Sequence, residues 1–204
     1  MFGSALGSRR RDRDAAWIRR ILRGSERAAD ALVREHYDGL FAFVYRQVGD
    51  HEETMNLTQE SFIAALQSLA SYDPARASFT TWLYRIAAYK VIDARRRTHP
   101  IAVSLDSGGL GDGEPDAFDG TDLPDERIPD MSELAADRDL LERIEERVAS
   151  CDPAAQEVFR LHLYAERSFA QIAAAAGESE STVKARYYRL MALLRKEFGD
   201  ERQR

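Results

Sequence analysis

Between Ser168 and Lys196 the chain reads SFAQIAAAAGESESTVKARYYRLMALLRK, and few folds accommodate that string. Ser168 is a helix-capping residue, and Phe169, Ile172, Ala173 and Ala176 recur on one face of a helix. Gly177 supplies the left-handed backbone position at which helices stop. Ser179 can cap a second helix, with Thr182 as the alternative. Val183, Tyr187, Leu190 and Leu194 then turn one apolar side of it toward the first. Ala173, four residues before the glycine, is small enough for the two helices to approach closely. Two capped helices at a tight glycine turn make a helix-turn-helix.

The outer side of the second helix indicates its use. Thr182 to Lys196 carries five basic side chains (Lys184, Arg186, Arg189, Arg195, Lys196) and no acidic one. A helix fits the major groove, where Arg and Lys reach guanine edges or phosphates. A solvated basic face on an ordinary helical hairpin is the competing reading. The caps, the glycine, the small residue and the one-sided charge together favour duplex DNA.

The formal net charge of −6 looks wrong for such a protein until it is divided along the chain. Residues 101–133 hold ten acidic side chains and one basic one, Arg127, whereas residues 1–100 hold 16 basic and 12 acidic. The acidity therefore belongs to a middle segment without helical periodicity, DSGGLGDGEPDAFDGTDLPDE, which composition identifies as a flexible linker. A solvated spacer is the plain reading. The sharper one is a strand of carboxylates lying in a channel that otherwise holds nucleic acid. A single cysteine, Cys151, excludes a disulfide framework and a cysteine zinc site, and the four histidines lack ligand spacing, so no metal or other cofactor is expected. No apolar run is long enough to insert in a membrane, and the arginine-rich start lacks a signal-peptide core, so a soluble, cytoplasmic protein is expected.

The remaining segments are helical in pattern, and the expected fold is all-α, with two small helical domains on either side of the linker. Residues 1–13, rich in Gly, Ser and Arg, read as a disordered basic tail. An N-terminal domain follows over 14–99. A short helix begins at Asp14, and Gly24 and Ser25 break it. An amphipathic helix runs over 27–48, a third covers about 50–71, and a fourth spans Phe79 to Arg97. The linker occupies 100–133, and the C-terminal domain with the helix-turn-helix occupies 134–204. In that domain Asp152 and Pro153 form a cap and first-turn pair. The fourth helix interleaves aromatics and cations, as single-stranded nucleic acid requires: bases stack on rings while cations follow the backbone. Tyr72, Trp82, Tyr84 and Tyr89 with Arg76, Arg85 and Lys90 could form that surface, although on these residues alone core packing of Trp82 and Tyr84 is the favoured reading.

Three motifs in order now resemble a known family. PARASFTTWLYRIAAYKVIDARRR resembles the DNA-melting helix of extracytoplasmic-function (ECF) sigma factors, and NLTQESFIAALQSLASYDP resembles the helix before it. The segment DPAAQEVFRLHLYAERSFAQIAAAAGESESTVKARYYRLMALLR resembles their C-terminal domain. The resemblance covers about residues 15–98 and 135–198. It implies an alternative sigma factor that binds bacterial RNA polymerase core and directs promoter-specific initiation, with an anti-sigma factor as regulator. It also implies no catalytic residue, since the polymerase performs the chemistry. The first domain would dock on the clamp of the large catalytic subunit through Glu53, Asn56, Leu57, Gln59 and Glu60, with Phe62 in the core. Tyr72, Arg76, Trp82, Arg85, Tyr89 and Lys90 would serve the minus-10 element, where a flipped base needs a stacking pocket. Ser181, Thr182, Lys184, Ala185, Arg186, Tyr188 and Arg189 would face the minus-35 duplex, Arg186 holding phosphate.

The chain departs from the family pattern in places. Met55 and Asn56 stand where acidic residues are common, Tyr89 stands at an Asn-like position, and Tyr187 replaces a usual Leu. The missing carboxylates permit the hypothesis that phosphorylation of Thr54 or Thr58 adds negative charge to the docking surface, against the favoured reading that Glu52, Glu53 and Glu60 suffice and an anti-sigma protein controls activity. The competing functional reading is a stand-alone helix-turn-helix transcriptional regulator, which would bind duplex specifically without polymerase and display a dimer interface. A nuclease finds no support, because no carboxylate pairs with His or Lys at a catalytic spacing.

Overall fold

The computed structural model describes residues 3–98 and 138–198. Four α-helices build the N-terminal part: α1 (Gly3–Ile21), α2 (Glu26–Val48), α3 (His51–Gln67) and α4 (Phe79–Thr98). Four more build the C-terminal part: α5 (Arg138–Ala149), α6 (Pro153–Leu163), α7 (Phe169–Ala176) and α8 (Glu180–Phe198). The linker read over 100–133 lies outside the described residues.

Local chemistry sets the helix limits. The Asp50 carboxylate accepts from the Glu53 amide at 2.7 Å and starts α3. Gly49 closes α2 in the left-handed conformation, at φ 74°. The Asp152 carboxylate accepts from the amides of Ala154 and Ala155, with Pro153 in the first turn of α6. Each such cap stabilises its helix by about 1 kcal/mol.

α2, α3 and α4 pack on one another around Leu40, Phe43, Val44, Leu57, Leu83, Ala87 and Val91, all buried. α1 lies across α2. Here the structure corrects the expected tail: α1 begins at Gly3, so residues 3–13 are helical rather than disordered. Arg10 and Arg13 both reach Glu35 of α2, and the Arg13 guanidinium lies over the Trp17 ring at 5.2 Å. Asp14 is buried with its carboxylate 3.1 Å from His36 Nε2. Composition cannot show these tertiary anchors.

α6 joins the two parts. Every residue from Ala155 to Leu161 is buried, although Gln156, Glu157 and Arg160 are polar. α6 packs against α7, α8 and α4; Glu157 faces α4, and Arg160 reaches Gln47 of α2 and Glu145 of α5. The C-terminal part therefore rests on the N-terminal part through α4 against α5, α6 and α7.

Candidate nucleic-acid interface

The helix-turn-helix forms as its sequence dictates. The Ser168 hydroxyl accepts from the Gln171 amide at 3.3 Å, while the Gln171 side-chain oxygen accepts from the Ser168 amide at 3.0 Å. This reciprocal pair starts α7. Gly177, at φ 77°, ends it with its amide donating to Ala173 O at 2.8 Å. The Ser179 hydroxyl accepts from the Thr182 amide at 3.1 Å and opens α8. Val183, Tyr187, Leu190 and Leu194 are buried against the rest of the domain. The Tyr187 ring packs against both His162 and Phe169, whose own rings stack on each other at 4.2 Å.

The opposite side of α8 is open to solvent. Ser181, Lys184 and Arg189 are exposed, and Thr182, Ala185, Arg186 and Tyr188 are half-buried at its margins. Lys184 pairs with Glu180 at 2.8 Å and Arg186 pairs with Glu178. Both are surface pairs, easily exchanged for phosphate. The residues expected at the minus-35 duplex thus lie together on one accessible helix.

The second group gathers on α4 and the loop before it. Tyr72, Phe79 and Trp82 form an aromatic cluster with centroid separations of 5.3–5.9 Å. The Tyr72 hydroxyl donates to Ala77 O at 3.0 Å and steadies the loop. Burial, reinforced by the Asp14 charge, pushes the Tyr72 phenol up to about 12. Trp82, Arg85 and Tyr89 follow at helical spacing along one face. Tyr84 faces the other way, buried against Phe43 with 4.8 Å between ring centroids. Lys90 also leaves the row, turning toward α3 to pair with Glu60 at 3.2 Å.

Arg85 and Tyr89 are engaged within the chain. Arg85 Nε donates to Glu157 Oε1 at 2.5 Å, and its Nη1 donates to Ala175 O at 2.8 Å. The Tyr89 hydroxyl donates to Glu157 Oε2 at 2.6 Å. Burial opposes the Arg85 charge, but the Glu157 carboxylate more than offsets this and raises the guanidinium pKa. Burial, then the hydrogen bond and charge of Glu157, raises the Tyr89 phenol as well. Glu157 carries no motif signal. Its only mark in the sequence is a carboxylate amid the apolar residues of a buried helix.

The expected docking residues lie on α3. Asn56, Gln59 and Glu60 are exposed, and Glu53 is half-buried. Glu53, Asn56, Leu57 and Glu60 line a shallow groove with Ala94 and Arg97 of α4. Leu57 is almost wholly buried and Phe62 is in the core, so Leu57 supports the surface more than it displays it. Thr54 and Thr58 are completely buried, and the Thr54 hydroxyl donates to Asp50 O at 2.5 Å. Their position corrects the phosphorylation expectation: as the helices are packed, neither hydroxyl is presented to a kinase.

Among the described residues, no cluster of His, Cys, Asp or Glu could hold a metal ion, and no helix is long and apolar enough to cross a membrane.

Comparison with known proteins agrees with this geometry. Residues 32–100, spanning α2 to α4, match the family model of sigma-70 region 2. The chain is 28% identical to the ECF RNA polymerase sigma factor SigW of Bacillus subtilis, over 90% of its own length and 95% of the relative's. It is likewise 28% identical to SigL of Mycobacterium tuberculosis, over 84% of this chain and 92% of that one. The chain belongs to the ECF sigma factors. The helical fold of this sigma factor also matches the solved structure of CnrH in complex with the cytosolic domain of CnrY. The TM-score is 0.56 and the identity 22%, covering 93% of this chain and 99% of that one. As an ECF sigma factor, the protein acts in transcription initiation by RNA polymerase, and the reading as a stand-alone regulator falls away.

Proposed function

We propose that this sigma factor divides promoter recognition between its two helical parts. α3 docks on the polymerase clamp through Glu53, Asn56, Gln59 and Glu60, with Leu57 beneath them. The α4 face takes the melted minus-10 strand: Tyr72 and Trp82 offer stacking rings, Arg76 and Arg85 accompany the backbone, and Tyr89 meets a base. α8 reads the minus-35 duplex with Ser181, Lys184, Ala185, Tyr188 and Arg189, and Thr182 and Arg186 contact phosphate. The chain performs no chemistry itself, and its partner polymerase places it in the cytoplasm. An anti-sigma protein is the expected regulator, by analogy with CnrH, which is held in complex with CnrY.

The observation that carries this reading is two nucleic-acid faces of different kinds on one chain. One interleaves rings and guanidinium groups, as unpaired bases require. The other is an exposed cationic helix of groove-filling width. Run-off transcription with purified core polymerase on a genomic fragment library tests it. Discrete transcripts should depend on the added protein. Arg189→Ala should lower output from them by about tenfold, the equivalent of one lost base contact of about 1–3 kcal/mol. Failure of the protein to direct any transcript would sink the assignment.

A further inference from the structure

The two nucleic-acid faces are not equally available. On α8, Ser181, Lys184 and Arg189 are exposed. On α4, the donors that would meet a DNA strand are already occupied by the C-terminal part. Both oxygens of one carboxylate, Glu157, accept from Arg85 and Tyr89, and the carbonyl end of α7 accepts from the second arm of the Arg85 guanidinium. Arg76 remains exposed but is approached from the same direction. Its guanidinium lies so close to Gly177 that a Cβ there would stand 2.1 Å from Nη2.

These acceptors copy what a strand would bring. A carboxylate offers two coplanar oxygens to a guanidinium fork, as a phosphate does. The carbonyl end of a helix adds partial negative charge. We propose that the C-terminal domain carries an internal substitute for single-stranded DNA, built from Glu157 and the α7–Gly177 end, which closes the minus-10 face while leaving the duplex-reading helix open. The proposal rests on the reading of α4 as the strand-binding face.

The joint beneath this contact is made to part. Arg160, wholly buried, donates from Nη1 to Gln47 Oε1 and to Glu145 Oε2, both at 3.1 Å. Arg95 approaches Glu145 at 3.5 Å, and Arg46 donates to Tyr164 O at 2.5 Å. Charges removed from water contribute little net attraction, because they regain hydration when the surfaces separate. A polar joint of this kind opens more readily than an apolar one. Opening on polymerase would release Arg85 and Tyr89 together, so that strand capture follows docking.

The test uses the full chain as wild type, Glu157→Ala, Glu157→Lys, and Glu157→Ala combined with Arg85→Ala. Small-angle scattering reports compactness. Fluorescence anisotropy reports binding to a labelled randomised single strand of about 30 nucleotides and to the duplex of the same pool, both at low salt. The wild type should be compact and bind the single strand weakly. Both Glu157 substitutions should expand the chain and raise single-strand affinity about tenfold, as expected if fewer than about one molecule in ten is open at rest. Duplex affinity of Glu157→Ala should stay within about twofold of wild type, and adding Arg85→Ala should remove the single-strand gain without restoring compactness. If both substitutions leave the chain compact with wild-type strand affinity, the closure is not made by Glu157 and the proposal fails alone. If the chain opens and no strand affinity appears, the reading of α4 as a strand-binding face fails, and the proposal with it.

Discussion

Five tyrosines have phenols held neutral above their ordinary value by burial: Tyr72, Tyr84, Tyr89, Tyr164 and Tyr187. Tyr72 and Tyr187 are each pushed up to about 12. Negative neighbours add to the effect at Tyr72 (Asp14), at Tyr89 (Glu157) and at Tyr164 (Glu145). In an unfolded chain a phenol ionises near pH 10. A raised native value means that these groups contribute stability in full below about pH 10 and lose it as the pH rises further, for Tyr72 and Tyr187 between about pH 10 and about 12. Helical circular dichroism should therefore collapse within that window, together with a late, steep rise in phenolate absorbance. Complete phenolate formation by about pH 10 with the helices intact would show that the rings are not held as described. These positions also show what single residues reveal in advance. That Tyr89 shares a face with Arg85 was legible because helical spacing aligns the two. The partner of Tyr89 was not legible, because Glu157 lies 68 positions away and no local rule selects it.

At the scale of the element, helix limits follow from short-range chemistry, and that is where the sequence was most informative. Ser168, Gly177, Ser179, Asp152 and Pro153 act where local rules put them, since a cap needs only its neighbouring amides. The exposed cationic side of α8 was legible for the same reason: a helix fixes which side chains share a side. The first helix was misread because α1 owes its order to Glu35 and His36 of another element. The burial of Thr54 and Thr58 was missed because it depends on the packing of α3. The caps give a direct prediction. Ser168→Ala removes one half of a reciprocal pair and should destabilise the C-terminal part by about 1 kcal/mol in urea denaturation. Gly177→Ala should be more harmful, by about 1–2 kcal/mol, because it combines a left-handed backbone with a Cβ placed against Arg76. Equal stability of Gly177→Ala and wild type would mean that the turn relaxes and Arg76 moves aside.

For the molecule as a whole, the question is how firmly its two parts are coupled. Among the described residues Arg160 is the largest wholly buried side chain, and it belongs to the C-terminal part. One partner, Glu145, lies in the same part, while Gln47 lies across the joint in α2. Arg95 of α4 also reaches both sides, approaching Glu145 and donating to Gln47 O. Removing Arg160 would leave Glu145 buried with less positive charge, and breaking such a pair from one side typically costs about 3–5 kcal/mol. Arg95 and the Tyr164 hydroxyl remain beside Glu145, so the loss should fall at the lower end, about 3 kcal/mol. The bond to Gln47 is the share of that loss that couples the two parts, about 1 kcal/mol. Calorimetry on the wild type should then show a single melting transition, and Arg160→Ala should split it in two, the C-terminal part melting first. Replacing both charges, as in Arg160→Met with Glu145→Leu, should recover most of the intrinsic stability of the C-terminal part, since no buried charge is left unpaired. It should not recover the single transition, because an apolar pair cannot bond Gln47. A single transition in Arg160→Ala would place the coupling in the apolar contacts of α4 instead, and would make separation of the two parts on polymerase far harder to achieve.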